Sequence, residues 1–538
     1  MPTNADLIIR ALLDAGVSHL FGMPGGGSNI DLIEAAGRAG LPFTLAQTEV
    51  GSAFMASAQA EITGKPGACI ATLGPGAASI VNGVANACLD RVPLIVITDC
   101  HPESVASVTQ HQTLRHGEIF SSVTKRSIRL KRESIVEAMR MAIGAATTPP
   151  CGPVHLDVST DVTAATAMST GQGKDMSSCC PNLDASIEPL PENVQKILKG
   201  SRRPIFLVGL EARTKPISSS IQQVCERFRI PALVTYKAKG VVPDRHSYFG
   251  GVLTNGALER EILERADLFL AIGLDPVELL PKPWNLTAPV IGIAPRAMGQ
   301  KQISLLAEFV GDVAEYLQAS AKHLPSQTDW TESEVTRLAA AQQQAMRPEN
   351  RGTLISPHRV VEIAAEIYPG TRITVDAGAH MFPVMSLWPA ENPCDVLISN
   401  GLSTMGFALP AAIGACLLDP SKPVLAFTGD GGLLICLSEL HTAVREKLPL
   451  RVIVFDDCAL SLIKIKQIQR GYRCEGVDLG EIDWMAVGQG LGAIARKASN
   501  EAEFRAALTE STHHPGPVLI AARIAPEAYV PTIRALRG

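Results

Sequence analysis

The first chemical signal in the chain is a pair of acidic positions. Residues 424–440, VLAFTGDGGLLICLSEL, pass from an apolar run through Gly429-Asp430-Gly431-Gly432 into helix-forming sequence. Further on, PLRVIVFDDCALSL ends a second apolar run at Asp456 and Asp457. A glycine turn that opens a helix lets backbone N–H groups approach a phosphate. An aspartate in that turn repels a phosphate unless a cation lies between them. Mg²⁺ suits the role, because it takes oxygen ligands and bridges carboxylates to phosphate oxygens. The second ligand belongs at the carboxyl end of a neighbouring strand, where open α/β sheets bind ligands. Asp457 stands there, 27 residues beyond Asp430. The pattern predicts a site for Mg²⁺ and a diphosphate. The same residues also fit a plainer arrangement, with Asp430 capping a helix and Asp456 and Asp457 ending a strand in water.

Other stretches offer chemistry with less pattern behind it. In QTEVGSAFMASAQAE, Glu49 precedes Ala53, Ala56 and Ala60 at helical spacing, so it lies at a helix start. The ordinary role of an acid there is to complement the helix dipole. His111 and His116, in TQHQTLRHGEIFSSVTK, are candidates for proton transfer or plain loop histidines. Lys464 and Lys466, in CALSLIKIKQIQRGYR, could hold a substrate carboxylate or form a solvated basic face.

The elements that position these residues follow from the apolar pattern. GACIATLGPG, VPLIVITD, PIFLVGL, ADLFLAIGLD, PVIGIA, RITVDAG, PVLAFTGDGG and LRVIVFDD are continuous apolar runs ending in Gly or Asp. They alternate with helical patterns. Strands of this kind are buried on both faces, which predicts parallel sheets flanked by helices. The N-terminal MPTNADLIIRALLDAGVSHLFG reads as an amphipathic helix and a strand, not a signal peptide. Two polar, breaker-rich stretches, near 161–192 and 325–357, divide the chain into thirds. The first and last thirds share a layout of strand end, glycine turn, helix, proline, strand and aspartate. This weak internal repeat predicts two related α/β domains with a different one between them. The expected class is α/β, three doubly wound parallel-sheet domains at 1–165, 190–325 and 355–538.

Composition narrows the function. A chain of 538 residues with 46% hydrophobic and 19% charged residues fills several cores unaided. Aromatics are only 4% and the net charge is −5, which leaves no basic footprint for nucleic acid. No apolar stretch is long enough to span a membrane. Twelve cysteines without CxxC pairing, only Cys179 and Cys180 adjacent, fit a reducing cytoplasm.

Gly-Asp-Gly, a helix, a strand and then an acid resembles the thiamine diphosphate fingerprint. LFGMPGGGSNIDLIEAA, TEVGSAFMASAQAEITGKPGACIATLGPGAASIVNGVANACLDRVPLIVITD, IPALVTYKAKGVVPDRHSYFGGVL and ISNGLSTMGFALPAAIGACL agree with it. Over essentially its full length the chain resembles the acetolactate synthase, pyruvate oxidase and 2-oxo acid decarboxylase superfamily, and looks most like acetolactate synthase large subunits. The resemblance implies a pyrimidine-binding, a central and a diphosphate-binding domain, in that order. It implies that Asp430, Asp457 and the Ala459 carbonyl hold Mg²⁺. Asparagine is common in the family where Asp457 stands. Gly429, Gly431, Gly432 and the Gly378-Ala379-His380 turn would contact the diphosphate. Glu49 would hydrogen-bond the aminopyrimidine and favour the tautomer that takes the proton from thiazolium C2, with the cofactor as electron sink. Many relatives carry histidine just before that glutamate; here it is Thr48. Met405 would wedge the cofactor into its bent shape, and the Ser403 carbonyl would receive the 4′-amino group. Pro75 and Asn82 fall in the pyrimidine-binding stretch. Gly27, Ser28 and Asn29 would lie over the thiazolium and could orient an acid substrate.

For the reaction, Gln112 stands thirteen residues before Lys125, as does the active-site glutamine of acetolactate synthases. Leu462 and Ile463 would shape the acceptor space. Pyruvate decarboxylases carry a glutamate where Ile463 stands, and biosynthetic acetolactate synthases a tryptophan near Lys466. Some relatives bind FAD or ADP in the central domain, but VGLEARTKP lacks a G-x-G-x-x-G turn, which leaves FAD open. The expectation is a thiamine diphosphate- and Mg²⁺-dependent transferase or lyase acting on a 2-oxo acid, decarboxylation followed by carboligation. It would be a homodimer or homotetramer with sites between subunits. The rivals are a simple decarboxylase or C–C lyase, a silent regulatory member of the family, and a Rossmann-type oxidoreductase. The last lacks its glycine fingerprint.

Overall fold

The computed structural model describes residues 1–167, 187–284, 286–299, 303–349 and 352–538. Most of the expected 161–192 linker, with Cys179 and Cys180, lies outside the described residues. The apolar runs form strands as their composition requires. The first sheet holds β1 (Leu20–Met23), β2 (Phe43–Leu45), β3 (Gly67–Ala71), β4 (Leu94–Asp99), β5 (Arg126–Arg129) and β6 (Val154–Val158). The second holds β7 (Pro204–Val208), β8 (Ala232–Val234), β9 (Phe249–Val252), β10 (Leu268–Ile272), β11 (Val290–Ala294) and β12 (Ala307–Val310). The third holds β13 (Arg372–Val375), β14 (Val396–Ile398), β15 (Val424–Gly429), β16 (Leu450–Asp456), β17 (Ile494–Ala498) and β18 (Val518–Arg523).

All three sheets are parallel. The first runs β2-β1-β3-β4-β6-β5 and the third β14-β13-β15-β16-β18-β17, the same order renumbered. The second runs β12-β11-β10-β7-β8-β9, the doubly wound order of dinucleotide-binding sheets. The repeat between the outer thirds is therefore topological, and the middle unit differs from both.

Two local expectations change. Leu433, Leu437, Leu440, Val444 and Leu448 keep helical spacing in the sequence, which predicts one helix after the Asp430 turn, but they do not share one. The helix starts at Asp430 and stops at Cys436, and a second runs from Glu439 to Arg445. The break turns Glu439 inward, toward the first unit. The stretch from 325 is not only a linker. Trp330, Val335 and Leu338 bury in the middle core, and Trp330 Nε1 donates to the Pro204 carbonyl at 3.0 Å.

The outer units share one continuous core. The helix Glu49–Thr63 crosses the helix Ala408–Leu418 closely enough that a Cβ on Gly414 would strike the Met55 carbonyl. Phe54 meets Phe407 edge-on at 5.4 Å between ring centroids. A buried charge cluster ties in the middle unit. Lys237 Nζ lies 2.6 Å from Glu61 and 3.3 Å from Asp90, and donates to the Ile398 carbonyl at 3.1 Å. Arg213 shares Glu61. No helix among the described residues is long and apolar enough to cross a membrane.

Candidate active site

Three neighbouring strands of the third sheet, β13, β15 and β16, end on one crevice, where the strand order reverses. Past β13 the chain turns through Gly378, Ala379 and His380. Past β15 come Asp430 and its helix; past β16 comes Asp457. Asp430 is 3% exposed. Its Oδ1 accepts from the Gly431 N–H at 2.7 Å, and its buried Oδ2 has no partner. Asp457 accepts from the Ala459 N–H at 3.2 Å and from Ser461 Oγ at 2.7 Å. Burial, then the charge of Asp456, pushes the Asp430 carboxyl up to about 6. Burial, then Asp430 itself, pushes Asp457 up to about 7. Buried carboxyls whose charges are disfavoured by burial and by a neighbouring acid are what a divalent cation relieves.

The glycines of the turn have no room for a side chain. A Cβ on Gly432 would lie 2.6 Å from Asp376 Oδ2 and 2.8 Å from Thr428 Oγ1. Asp376 accepts from the Phe407 and Ala408 N–H groups at 2.7 and 2.9 Å and from Thr428 Oγ1 at 2.6 Å. It thereby locks the loop bearing Ser403 and Met405 to β15. A Cβ on Gly431 would lie 3.3 Å from Met405 Cε, so the methionine stands over the turn. Ser403 takes a left-handed φ of 53°. The His380 ring stacks on Phe455 at 5.2 Å between centroids. Burial holds it neutral, pushing its pKa down to about 3, and its buried Nε2 has no partner. Gly378, Ala379, His380, Ser403, Met405, Gly429–Gly432, Asp457, Ala459, Leu462 and Ile463 all line one cavity of about 510 Å³.

The other expected residues gather elsewhere, at the corresponding crevice of the first sheet. Glu49 starts its helix behind the Thr48 cap, half-buried, and its Oε1 lies 3.3 Å from where a Cβ on Gly76 would stand. Gly74 takes φ 62° ahead of Pro75, and a Cβ there would meet Gln112 Cβ at 2.9 Å. Gln112 lines a second cavity of about 420 Å³ with His116 and Asp157. His116 Nδ1 lies 2.8 Å from Asp157, and its Nε2 accepts from the Gly74 N–H at 3.4 Å. His111 is exposed outside that lining. A Cβ on Gly27 would collide with the Asp99 carboxylate. Ser28 departs from expectation: its hydroxyl is 0% exposed and donates to Asp99 Oδ1 at 2.8 Å and the Val158 carbonyl at 2.9 Å. It fixes the glycine loop and is not free to orient a substrate. Asn29 is likewise buried, accepting from the Gly25 N–H at 3.0 Å. Asn82 touches the third unit, donating to Thr404 Oγ1 at 3.1 Å. Glu49, Gly27, Pro75 and Gln112 form no part of the 510 Å³ cavity wall. Within one chain the two groups line different cavities, and Asn82 links them at Thr404, between Ser403 and Met405.

Three residues had no sequence signal. Glu439 Oε1 accepts from the Thr48 N–H and Thr48 Oγ1, each at 2.9 Å, and its carboxylate also takes the Gln47 N–H. A residue of the third unit so holds the cap of the Glu49 helix. Asp90 accepts from the Gly401 N–H at 2.7 Å, steadying the loop before Ser403. In the middle unit, Glu278 takes the Leu210 N–H at 2.9 Å and the Thr235 hydroxyl. A nucleotide diphosphate at that turn would have to displace the Glu278 carboxyl.

Comparisons with known proteins agree with this architecture. Three profiles described as thiamine pyrophosphate enzyme match in order: the N-terminal TPP binding domain over residues 2–119, the central domain over 192–320 and the C-terminal TPP binding domain over 376–522. The chain is 27% identical to "Acetolactate synthase" of Bacillus subtilis (strain 168), over 96% of this chain and 92% of that one. It is 29% identical to "Acetolactate synthase isozyme 1 large subunit" of Escherichia coli (strain K12), over 98% and 95%. The solved thiamine diphosphate-dependent 4-hydroxybenzoylformate decarboxylase of Rhodococcus jostii RHA1 shares the fold. It superposes with a TM-score of 0.81 at 20% identity, over 97% of this chain and 99% of that one.

Proposed function

The chain belongs to the thiamine pyrophosphate enzyme family, and from that premise we propose that it uses thiamine diphosphate and Mg²⁺ to decarboxylate a 2-oxo acid and pass the acyl carbon to a second carbonyl compound. The observation that carries this is the Asp430 turn: a buried carboxylate oxygen without a partner, beside a second raised carboxyl, at a glycine cradle that a Cβ would fill. The residues fit the cofactor. Asp430, Asp457 and the Ala459 carbonyl would hold the metal. The N–H groups of Gly431 and Gly432 would hold the diphosphate. Met405, packed over the turn, would press on the ring system. When bound, thiamine diphosphate supplies a nucleophilic carbon and an electron sink.

The protein's own residues then divide the work. Glu49 would accept a hydrogen bond from the pyrimidine and set its protonation. Because Glu49 does not line the cavity of its own chain, a second copy would supply it. We therefore assign the active unit as a homodimer or a dimer of dimers. Leu462 and Ile463 give the cavity an apolar wall with no carboxyl at position 463 to serve as a proton donor. That supports a carbonyl acceptor over simple decarboxylation. We place the protein in the reducing cytoplasm, in keeping with the free state of every cysteine among the described residues.

The test is a screen of 2-oxo acids with the cofactor-loaded enzyme, read by mass spectrometry. Acetolactate or acetoin from pyruvate, or the homologous ligation product of another 2-oxo acid, is expected; aldehyde alone assigns the simple decarboxylase. Glu49→Gln should lower turnover by about a hundredfold or more with cofactor affinity kept. Unchanged turnover contradicts the mechanism.

A further inference from the structure

The helix Ser461–Gln469 carries the two lysines that the sequence leaves equivalent, and the structure separates them. Lys464 Nζ pairs with Asp478 Oδ1 at 2.7 Å on the outer surface. Lys466 lines the 510 Å³ cavity on the same face as Leu462 and Ile463, and no acid pairs with it among the described residues. Arg537, the last residue of the helix Tyr529–Arg537, lines the same cavity. Its guanidinium lies 5.8 Å from the Phe382 ring centroid. Tyr236, from the middle unit, completes the group: it is 8% exposed, and its buried hydroxyl has no hydrogen-bond partner.

We propose that this end of the cavity, where Lys466, Arg537 and Tyr236 converge, binds a second anionic group of the substrate, a carboxylate or phosphonate remote from the reacting carbonyl. The inference rests on the 2-oxo acid reading above and names its substrate class.

Half-buried Lys466 and exposed Arg537 line the same cavity as the buried Tyr236 hydroxyl, beside the apolar side chains of Leu253, Leu279 and Phe382. Lys466 feels the arrangement: partial burial, then Arg537 and Arg470, lowers its pKa. The acids nearby are committed. Asp430 and Asp457 lie at the metal end. Glu278 is held by Thr235 and Leu210, and Glu259 by the Thr254 and Gly256 N–H groups at 2.8 Å each. An anion entering this end gains charge-assisted hydrogen bonds from Lys466 and Arg537, which no carboxylate pairs among the described residues, and meets the partnerless Tyr236 hydroxyl. A substrate ending in a methyl group leaves them unpaired.

Calorimetric titration of the cofactor-loaded protein tests this with matched pairs: 2-oxoglutarate against 2-oxopentanoate, and 3-phosphonopyruvate against 2-oxobutanoate. At least one dianion should bind about tenfold to a hundredfold more tightly than its partner. Lys466→Met and, separately, Arg537→Met should bring that ratio to within about threefold, the change expected when a charge-assisted bond is lost. Lys464→Met, on the outer surface, should leave it intact. Equal affinity within both pairs, no binding of either dianion, or a ratio unmoved by both cavity substitutions overturns the proposal. The reaction reading fails separately. Preferred binding of a dianion without turnover of any 2-oxo acid sinks that reading and leaves the subsite. Turnover with equal binding does the reverse.

Discussion

His155 sits fully buried between Thr98 Oγ1 and Ser127 Oγ, each at 2.7 Å, and burial pushes its pKa down to about 4. The ordinary histidine value is 6.5, so between those limits the unfolded chain binds a proton that the folded chain refuses. The stability that comes from keeping His155 neutral is complete above 6.5 and is lost as pH falls toward 4. The contribution to the slope approaches about 1.4 kcal/mol per pH unit. Urea unfolding midpoints from pH 7 to 5 should fall more steeply for the wild type than for His155→Gln. Parallel curves would show that His155 titrates normally. At this scale the sequence was legible where a residue's chemistry contradicts its neighbourhood. An acid in a phosphate-type glycine turn stood out, and Asp430 is buried there with a carboxylate oxygen that has no partner. Ser28 was not legible: nothing near it in the chain reveals that Asp99, 71 positions away, takes its hydroxyl.

Elements extend the point. Continuous apolar runs announced the strands, because a strand buried on both faces must be apolar throughout. The break after Cys436 was invisible, since the leucine spacing alone favours one long helix. What ends the helix is tertiary: Glu439 must face Gln47 and Thr48, more than 390 positions away in sequence. Glu439→Ala would strand two N–H groups and the hydroxyls of Thr48 and Thr442, at about 1–3 kcal/mol for each buried group left unsatisfied. The amides of 47–52 should then lose hydrogen-exchange protection, while those of β7 and β10 keep theirs. Undiminished protection at 47–52 would remove Glu439 as the clamp. Gly432→Ala should fail differently. Its methyl would press on Asp376 and Thr428, so cofactor affinity should fall together with the melting temperature. Retained affinity would show that the cradle has slack.

For the whole molecule, the shared order of the first and third sheets explains why each ends in a ligand crevice. The paired layouts in the sequence hinted at that repeat. They could not show which residues line which crevice within one chain, because that depends on how the units dock. Docking is set by the crossing of Glu49–Thr63 on Ala408–Leu418 and by the Lys237 cluster. Both bring together residues more than 140 positions apart. We propose that a complete site takes Glu49 from one copy and Asp430 from another. Mixing two inactive variants tests it. Glu49→Gln and Asp430→Ala, co-expressed and purified with separate tags, should regain activity in the mixed dimer. One of its two sites then joins an intact Glu49 to an intact Asp430. The doubly purified mixed dimer should show about half of wild-type turnover per chain, and an unfractionated random mixture about a quarter, as expected of an isologous dimer. Mixed dimers as inactive as either parent would contradict the claim.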